Sequence, residues 1–353
     1  MARTIMIMAG GTGGHVFPAL AVAGYLREQG WRVIWLGAKS GLEATLVPQH
    51  GYEIAWLRFS GLRGKGLLRA LALPANVLVA FWQSARAILA RRPDVVLGMG
   101  GYISFPGGMM AALLGRPLAI HEQNSVAGLA NKVLSRLADR VLQSFPDALP
   151  GALLCGNPVR SDIAGLPQPR ERYAARSGRL KLLVLGGSQG AQALNQTVPQ
   201  ALALFDDATR PEITHQAGAK HIEALRAGYA AAGVKVEARA FIDNMAQRYG
   251  DADVVICRAG ALTVAELACA GVASVLVPYP HAVDDHQTGN AKLLSSAGAA
   301  ILLPQSELTA SGLAELLRGL TRERLLDMAE KARTLGKPGA TADVARICME
   351  LAE

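Results

Sequence analysis

The chain has 353 residues, 51% of them hydrophobic and only 5% aromatic, which is enough for two domains with mainly aliphatic cores. Its four cysteines form no CxxC pair and have no metal-ligand spacing, so they argue against a disulfide framework or a zinc site and favour buried thiols in a reducing compartment. The net charge of +8 comes from residues 1–160, which hold 16 Lys and Arg against 7 Asp and Glu, whereas residues 161–353 hold 20 against 21. This asymmetry favours an anionic surface or substrate met by the first half, with general solubility as the plainer alternative.

A glycine turn at residues 10–15 organises the start of the chain, which opens on a predicted strand and not on a signal peptide. The apolar run 4–9 predicts that strand, and residues 16–26 predict a helix. Glycines let a ligand approach the backbone closely, and the N–H groups at a helix start point at negative charge. His15 closes the turn and can exchange a proton near neutral pH. The turn therefore predicts an anion site with an acid–base group beside it.

The residues at the end of the next predicted strand, 31–37, show whether the sequence fits a dinucleotide-binding fold. Such a fold carries an Asp or Glu at this strand end to hold the ribose, but Ala38, Lys39 and Ser40 stand here. The missing acid argues against NAD, while Lys39 leaves NADP open. An NADP-dependent oxidoreductase or a UDP-sugar epimerase is the enzymatic alternative, and the doubled glycine turns described below argue against it.

Residues 58–92 hold seven basic residues and no acidic one, on either side of the uncharged run 70–85. This run is too short and too interrupted to span a bilayer, which needs about 20 apolar residues. A basic rim around Leu, Phe and Trp suits binding in the plane of an anionic membrane, and a core helix with a solvated basic edge explains the stretch equally well. Nucleic acid is not expected as a partner, because the apolar residues are mainly aliphatic and not aromatics spaced for base stacking.

Two further polar turns follow predicted strands of the first half. Residues 98–102 include Gly100, Gly101 and Tyr102, and residues 121–124 include Glu122 and Asn124. Polar residues past the carboxyl ends of parallel strands fall in the ligand crevice of an open α/β sheet. We therefore expect the turns at 10–15, 98–102 and 121–124 to converge on one cleft. The alternative for Glu122 and Asn124 is that they cap the following helix.

The second half restarts the same pattern. A predicted strand at 180–185 leads into a second glycine turn at 186–191, and a strand at 254–257 leads into small residues, Thr263 and Glu266 at a helix start. This arrangement predicts a diphosphate site with a carboxylate for the ribose hydroxyls, whereas the plainer reading makes Glu266 an acid that complements the helix dipole. Asp284 and Asp285 do not indicate a metal site, because adjacent carboxylates on a loop seldom share one ion. No metal and no cofactor are expected.

The motifs follow one another through essentially the whole chain: GGTGGHVFPAL, MGGYISFPGG, HEQN, AGLANK, GNPVR, GGSQGA, FIDNM, ALTVAE and DDHQTGNA. Together they resemble glycosyltransferase family 28, in particular its enzymes that add N-acetylglucosamine to the lipid-linked muramyl-pentapeptide precursor of peptidoglycan. The resemblance implies an inverting, metal-independent hexosyltransferase that uses UDP-N-acetylglucosamine. It implies lipid I (undecaprenyl-pyrophosphoryl-MurNAc-pentapeptide) as acceptor through its 4-hydroxyl, lipid II as product, and a peripheral location at the cytoplasmic face of the bacterial inner membrane.

The resemblance also carries site residues onto matching positions. It makes His15 the candidate base, with Glu122 as the second candidate. It places the acceptor at His15, Gly100, Gly101 and Tyr102. The predicted donor-binding residues are Thr12, Gly13, Gly14, Asn124, Arg160, Ser188, Gln189, Ile242, Ala261, Leu262, Thr263, Val264, Ala265, Glu266 and Gln287. Ala259 and Ala265 stand where the family more often has Ser, and the sugar contact is open between His286 and Gln287.

The fold expected is α/β, a GT-B protein whose two Rossmann-like domains have parallel sheets facing across a cleft. Residues 1–161 form the acceptor- and membrane-binding domain, 162–335 the donor-binding domain, and 336–353 a helix that packs back on the first domain. The expected partners are UDP-N-acetylglucosamine, lipid I, an anionic membrane surface through 58–92 and a cell-wall synthesis complex. The rival from another class is a peripheral membrane scaffold with an inert nucleotide fold, against which His15 and the second phosphate loop argue.

Overall fold

The computed structural model describes residues 2–59, 73–187 and 190–353. Ser188, Gln189 and the segment 60–72 of the basic stretch therefore lie outside the described residues. The chain forms two compact units, one made of residues 1–160 and 339–353 and the other of residues 161–338. The sequence analysis places these boundaries at 161 and 335.

The central strands β1, β4 and β5 of the first unit are short runs buried on both faces, as strands of a parallel sheet with helices on either side must be, whereas the edge strands β3 and β7 are partly exposed. They pair in the order β3-β2-β1-β4-β5-β6-β7, and every pairing is parallel. Their bounds are β1 (Thr4–Met8), β2 (Arg32–Ala38), β3 (Glu53–Leu57), β4 (Val95–Gly98), β5 (Leu118–Glu122), β6 (Arg140–Gln143) and β7 (Leu153–Leu154). The strand order reverses between β1 and β4, and this switch point is where open α/β sheets bind ligands.

The helices of the first unit connect these parallel strands. Their bounds are α1 (Gly13–Glu28), α2 (Glu43–Gln49), α3 (Leu73–Arg91), α4 (Ser104–Leu113) and α5 (Leu129–Leu134). Helix α1 begins at Gly13, inside the glycine turn at residues 10–15 and three residues before the predicted start, with Thr12 in extended conformation as its N-cap. Within the part of the chain that the structure describes, every helix is too short or too polar to cross a bilayer.

The second unit repeats the plan around a core made mainly of aliphatic residues. Its strands pair in parallel in the order β10-β9-β8-β11-β12-β13, with bounds β8 (Lys181–Leu185), β9 (Glu212–Gln216), β10 (Glu237–Arg239), β11 (Val254–Cys257), β12 (Ser274–Leu276) and β13 (Ala300–Leu302). The switch point lies between β8 and β11. The helices are α6 (Ser161–Ala164), α7 (Pro169–Ala174), α8 (Gln192–Ala203), α9 (Ile222–Ala231), α10 (Met245–Asp251), α11 (Ala261–Ala270), α12 (His286–Ser295), α13 (Ala310–Arg318) and α14 (Arg322–Leu335), with 3-10 turns at Val283–Asp285 and Gln305–Glu307.

The last helix, α15 (Ala340–Leu351), belongs to the first unit. Its apolar stripe, including Val344 and Ile347, is buried in the core that α1 also lines. The Thr341 hydroxyl donates to the Val159 carbonyl at 3.1 Å and fixes the start of this helix. All four cysteines are buried free thiols, as predicted, and burial raises the pKa of Cys348 to about 12.

Candidate active site

The three polar turns of the first unit come together beside its switch point. They follow β1, β4 and β5, which lie side by side in the sheet, so the parallel arrangement brings their carboxyl ends to one edge. The closest link is between His15 in the first turn and Gln123 in the third, where the His15 Nδ1 lies 3.0 Å from the Gln123 Oε1. The predicted convergence of these turns is therefore present in the structure.

Two glycines let the second turn approach the other two. Gly100 has a φ of +83°, and a Cβ there would lie 2.7 Å from His15 Nδ1 and 3.1 Å from Gln123 Oε1. Gly101 has a φ of +80°, and its Cβ would overlap the Gly10 carbonyl oxygen. Only glycine fits both the left-handed backbone and this close approach. The structure thus assigns both residues to the assembly of the turns, while their contact with an acceptor stays a prediction.

Glu43 is a buried carboxylate that the sequence analysis missed. It lies at the start of α2, with no exposed surface, and accepts hydrogen bonds from Gly11 N at 3.0 Å and from Ala38 N at 3.2 Å. An acid near the end of β2 is therefore present after all, but it turns back onto the first glycine turn. Because it occupies the Gly11 N–H, an anion at this turn has to use amides further along the chain.

Glu122, the runner-up base, is also buried and accepts several hydrogen bonds. Its Oε1 accepts from Asn124 N at 2.9 Å, and its Oε2 accepts from Gly128 N at 3.1 Å and from Asn131 Nδ2 at 2.8 Å. These bonds fix the loop at residues 123–128 between β5 and α5. The geometry favours the structural alternative for Glu122, and its link to Asn124 sets the position of that predicted donor contact.

Tyr102 stands at the rim of the same turns. Its ring lies 5.9 Å from the Phe59 ring between centroids, and its hydroxyl lies 3.5 Å from Ser40 Oγ. Partial burial raises the pKa of the Tyr102 phenol, so it is protonated near neutral pH and able to donate a hydrogen bond. This is compatible with the acceptor contact predicted from the sequence.

In the second unit, α11 begins at Ala261 directly after β11, beside the switch point. Its N-cap is Gly260 in extended conformation, which supplies no side-chain cap, so the first-turn amides point outward as an anion site requires. Ala261 and Val264 are buried, while Leu262, Thr263 and Ala265 are partly exposed. Val264 is fully buried and its N–H donates to the Gly260 carbonyl at 2.9 Å, so Val264 supports the helix start from inside.

Glu266 lies one turn further into α11 and is partly exposed. The hydroxyl of Tyr249, a fully buried residue of α10, donates to Glu266 Oε2 at 3.0 Å. This contact sets the direction of the carboxylate, and the sequence analysis did not foresee it. A carboxylate fixed beside an uncapped helix start can accept hydrogen bonds from a diol next to a diphosphate.

The loop after β12 positions the remaining sugar candidates. Gln287 Oε1 accepts from Tyr279 N at 2.9 Å, which directs the amide nitrogen of Gln287 away from this contact. His286 Nδ1 lies 2.7 Å from the Val283 carbonyl.

Asp284 and Asp285 both adopt left-handed backbone, with φ of 51° and 49°. Among the described residues, no cluster of His, Cys, Asp and Glu could hold a metal ion.

The remaining predicted donor residues fall in different settings. Gly190 closes the second glycine turn with a φ of +79°, next to Ser188 and Gln189, whose predicted contacts lie outside the described residues. Ile242 is buried, and its predicted contact with the uracil stays a prediction. Arg160 is partly buried and is the last residue before the second unit. Thr12, Gly13 and Gly14 form the start of α1 next to His15.

Two doubly wound parallel sheets, each with a glycine turn and a helix start at its switch point, form the architecture of the GT-B glycosyltransferases. The model of the glycosyltransferase family 28 N-terminal domain matches residues 5–143, and that of the C-terminal domain matches residues 181–344. The chain belongs to glycosyltransferase family 28. This confirms the resemblance and the predicted fold class, and it excludes the oxidoreductase, epimerase and scaffold alternatives.

Full-length relatives agree with this assignment. The chain is 63% identical to a protein of Dechloromonas aromatica over 353 residues, covering 100% of both chains, and 64% identical to one of Nitrosospira multiformis over 354 residues, covering 99% of each. Both carry the name UDP-N-acetylglucosamine–N-acetylmuramyl-(pentapeptide) pyrophosphoryl-undecaprenol N-acetylglucosamine transferase. The crystal structure of MurG from Acinetobacter baumannii matches with a TM-score of 0.86 at 42% identity, covering 99% of each chain.

Proposed function

We propose that the protein transfers N-acetylglucosamine from UDP-N-acetylglucosamine to the 4-hydroxyl of lipid I and thereby makes lipid II. The observation that carries this proposal is the 63% identity, without loss of length, to a relative with that transferase name. The site supports it, since the first unit presents His15 among three polar turns and the second presents an uncapped helix start with a fixed carboxylate.

The second unit holds the donor in this proposal. The start of α11 and the turn at residues 186–190 stabilise the diphosphate, which gains negative charge as the sugar leaves. Glu266 accepts hydrogen bonds from the ribose hydroxyls, Ile242 meets the uracil, and Gln287 binds sugar hydroxyls through its amide nitrogen. The amide donors at the start of α11 and in the turn at residues 186–190 neutralise the leaving group without a metal ion.

The first unit supplies the base. The donor carries an α-linked UDP and the product is β-linked, so we propose a single in-line displacement with inversion. The acceptor oxygen forms the new bond to the anomeric carbon, the bond from that carbon to the UDP oxygen breaks, and the hydroxyl proton goes to Nε2 of His15. Tyr102, Gly100 and Gly101 lie in the adjoining turn and contact the acceptor.

We further propose that the protein binds peripherally to the anionic cytoplasmic face of the inner membrane. Helix α3 carries an exposed stripe in which Leu78 and Trp82 are 68% and 61% exposed, and Leu89 continues it. Arg86 belongs to the same face, with its guanidinium 5.7 Å from the centre of the Trp82 ring. Exposed Leu and Trp beside a cation suit the boundary between headgroups and acyl chains.

The test is transfer of labelled N-acetylglucosamine from its UDP donor to a lipid I analogue, with EDTA present. We expect transfer, which establishes donor, acceptor and metal independence together. Donor binding without transfer leaves a UDP-sugar enzyme with another acceptor. No donor binding overturns the proposal.

A further inference from the structure

A hydrogen-bonded chain of side chains leads from the interior of the first unit to His15. It begins at the Gly156 carbonyl, 2.9 Å from the Nε2 of His121, a histidine with no exposed surface. A carbonyl oxygen can only accept, so this Nε2 carries the proton. Burial lowers the pKa of His121 to about 4, so the ring is neutral near pH 7 and its Nδ1 has a lone pair.

Gln123 is the next member of the chain and is 1% exposed. Its Nε2 lies 3.1 Å from that Nδ1 of His121, 2.9 Å from the Met99 carbonyl and 3.2 Å from the His121 carbonyl. All three partners are acceptors, so the amide nitrogen has to face them. The Oε1 of the same amide therefore faces His15, at 3.0 Å from its Nδ1.

From this orientation we infer that Gln123 is a positioning residue for the transfer reaction. Its Oε1 can only accept, so His15 carries its proton on Nδ1 and presents the lone pair of Nε2 as the base. Gly100 keeps this contact intact, because a Cβ at that position would meet both partners. The inference rests on the proposed function, since His15 has a proton to take only in that reaction.

The partner of His15 is a neutral amide and not the carboxylate that orients the histidine in many hydrolases. The titratable groups around the first turn, within the described residues, are His121 and Glu122 on β5, Tyr102 after β4 and Glu43 on α2. None of these groups forms a hydrogen bond with His15 Nδ1, whose partner is the Gln123 Oε1. Orientation of His15 thus depends on Gln123.

Two substitutions separate positioning from packing. Gln123→Met keeps the length of the side chain but offers His15 no acceptor, so we expect kcat to fall by about 10–10²-fold, as tautomer control is lost, while the KM for the donor stays constant. Gln123→Glu keeps an acceptor oxygen. It should recover part of the lost activity and move the lower limb of the pH–rate profile to higher pH, because a carboxylate stabilises a protonated imidazole.

Gln143 provides the matched control. It is a similarly buried glutamine on the neighbouring strand β6, where its amide joins the Ala152 carbonyl and the Leu149 N–H. Gln143→Met should lower stability and leave kcat and the pH limb unchanged. Two results would overturn the inference by showing that Gln123 only supports the fold. In the first, Gln143→Met reproduces the loss of kcat seen in Gln123→Met. In the second, Gln123→Glu is no more active than Gln123→Met and the lower limb of its pH–rate profile does not move.

A spectroscopic measurement tests the tautomer even where a variant does not fold. In wild-type protein labelled with 15N-histidine, the His15 ring signals are assigned by their loss in His15→Gln. We expect the shifts of the Nδ1-protonated neutral ring, and an Nε2-protonated ring overturns the inference. Wild-type protein that transfers sugar with an Nε2-protonated His15 refutes this inference alone, whereas wild-type protein that transfers none refutes the proposed function.

Discussion

The hydroxyl of Tyr249 donates a hydrogen bond of 3.0 Å to Oε2 of Glu266 and links α10 and α11, the helices that precede and follow β11 in the chain. Tyr249 is fully buried, so the carboxylate direction is set by the core of the second unit and not by the ligand. A UDP-sugar that binds to Glu266 therefore meets a carboxylate that is already oriented to accept its hydrogen bonds, which lowers the entropic cost of binding.

This relationship predicts a graded loss of UDP affinity. Glu266→Ala should weaken UDP binding by on the order of 10–10²-fold, because hydrogen bonds to a charged group are lost, and Tyr249→Phe by a few-fold, because only the orientation suffers. Titration calorimetry with UDP measures both. Tyr229→Phe is the control, since Tyr229 is equally buried but bonds to His215. Unchanged UDP affinity in Glu266→Ala discards the ribose assignment.

The base assignment predicts that His15→Ala lowers turnover by about 10²–10⁴-fold, the usual range for one general base, with donor binding intact. Steady-state kinetics with a lipid I analogue check this. His50→Ala serves as the control, because His50 is an exposed histidine of the same unit. A loss below tenfold with normal donor binding would contradict the assignment of His15 as the base.

The close approach of the turns predicts unequal effects at two glycines with positive φ. Gly100→Ala places a Cβ against His15 and Gln123, whereas Gly115→Ala, at φ +62°, meets nothing within 4 Å. Both should lose about 1 kcal/mol of stability through backbone strain. Only Gly100→Ala should lower kcat, by tenfold or more. Equal kcat values for the two variants would contradict the steric argument.

Buried His121 predicts acid sensitivity of the first unit. Its folded pKa, lowered to about 4 by burial, lies below the unfolded value of about 6.5, so the unfolded chain binds the proton first. The stability of the neutral form is complete above pH 6.5 and is lost as the pH falls toward 4, by roughly 3 kcal/mol. All four tryptophans lie at positions 31, 35, 56 and 82, so fluorescence during urea unfolding reports this unit. His121→Gln should flatten the pH dependence, and an unaltered slope would speak against the assignment.

The membrane proposal predicts that Leu78→Ser and Trp82→Ser weaken binding to vesicles that contain anionic phospholipid. Each removes exposed apolar surface from α3 without opening the core. Vesicle co-sedimentation at low and high salt measures the effect. Leu204→Ser, at a 50% exposed leucine of the second unit, is the control and should bind as the wild type does. Equal losses in all three variants would refute a surface centred on α3.

Local sequence patterns predicted the parts of this protein that depend on local chemistry. Apolar runs followed by glycine turns marked β1, β4, β8 and β11, and the restart after residue 180 indicated two similar sheets. The turns were expected to meet because parallel strands end on one edge of a sheet. Each of these expectations follows from periodicity and from the handed, ordered geometry of α/β folds.

The missed residues share one property, which is that their partners are distant in sequence. Gln123 bonds to a residue 108 positions away, Glu43 to one 32 positions away and Tyr249 to one 17 positions away. No spacing rule marks a buried glutamine or tyrosine as the partner of a functional group. The HEQN motif did contain Gln123, but the charged and flanking residues drew the interpretation to Glu122 and Asn124.

Glu43 has a further consequence for ligand design. Its carboxylate is a covalently tethered anion, always present at high effective concentration beside the Gly11 amide, and no soluble compound can compete with it on equal terms. Phosphate mimics built to cap that amide should fail, whereas those aimed at the amides of Gly13 and Gly14 meet no such internal competitor among the described contacts. The Glu43 carboxylate thus blocks one amide of the first glycine turn against any soluble anion.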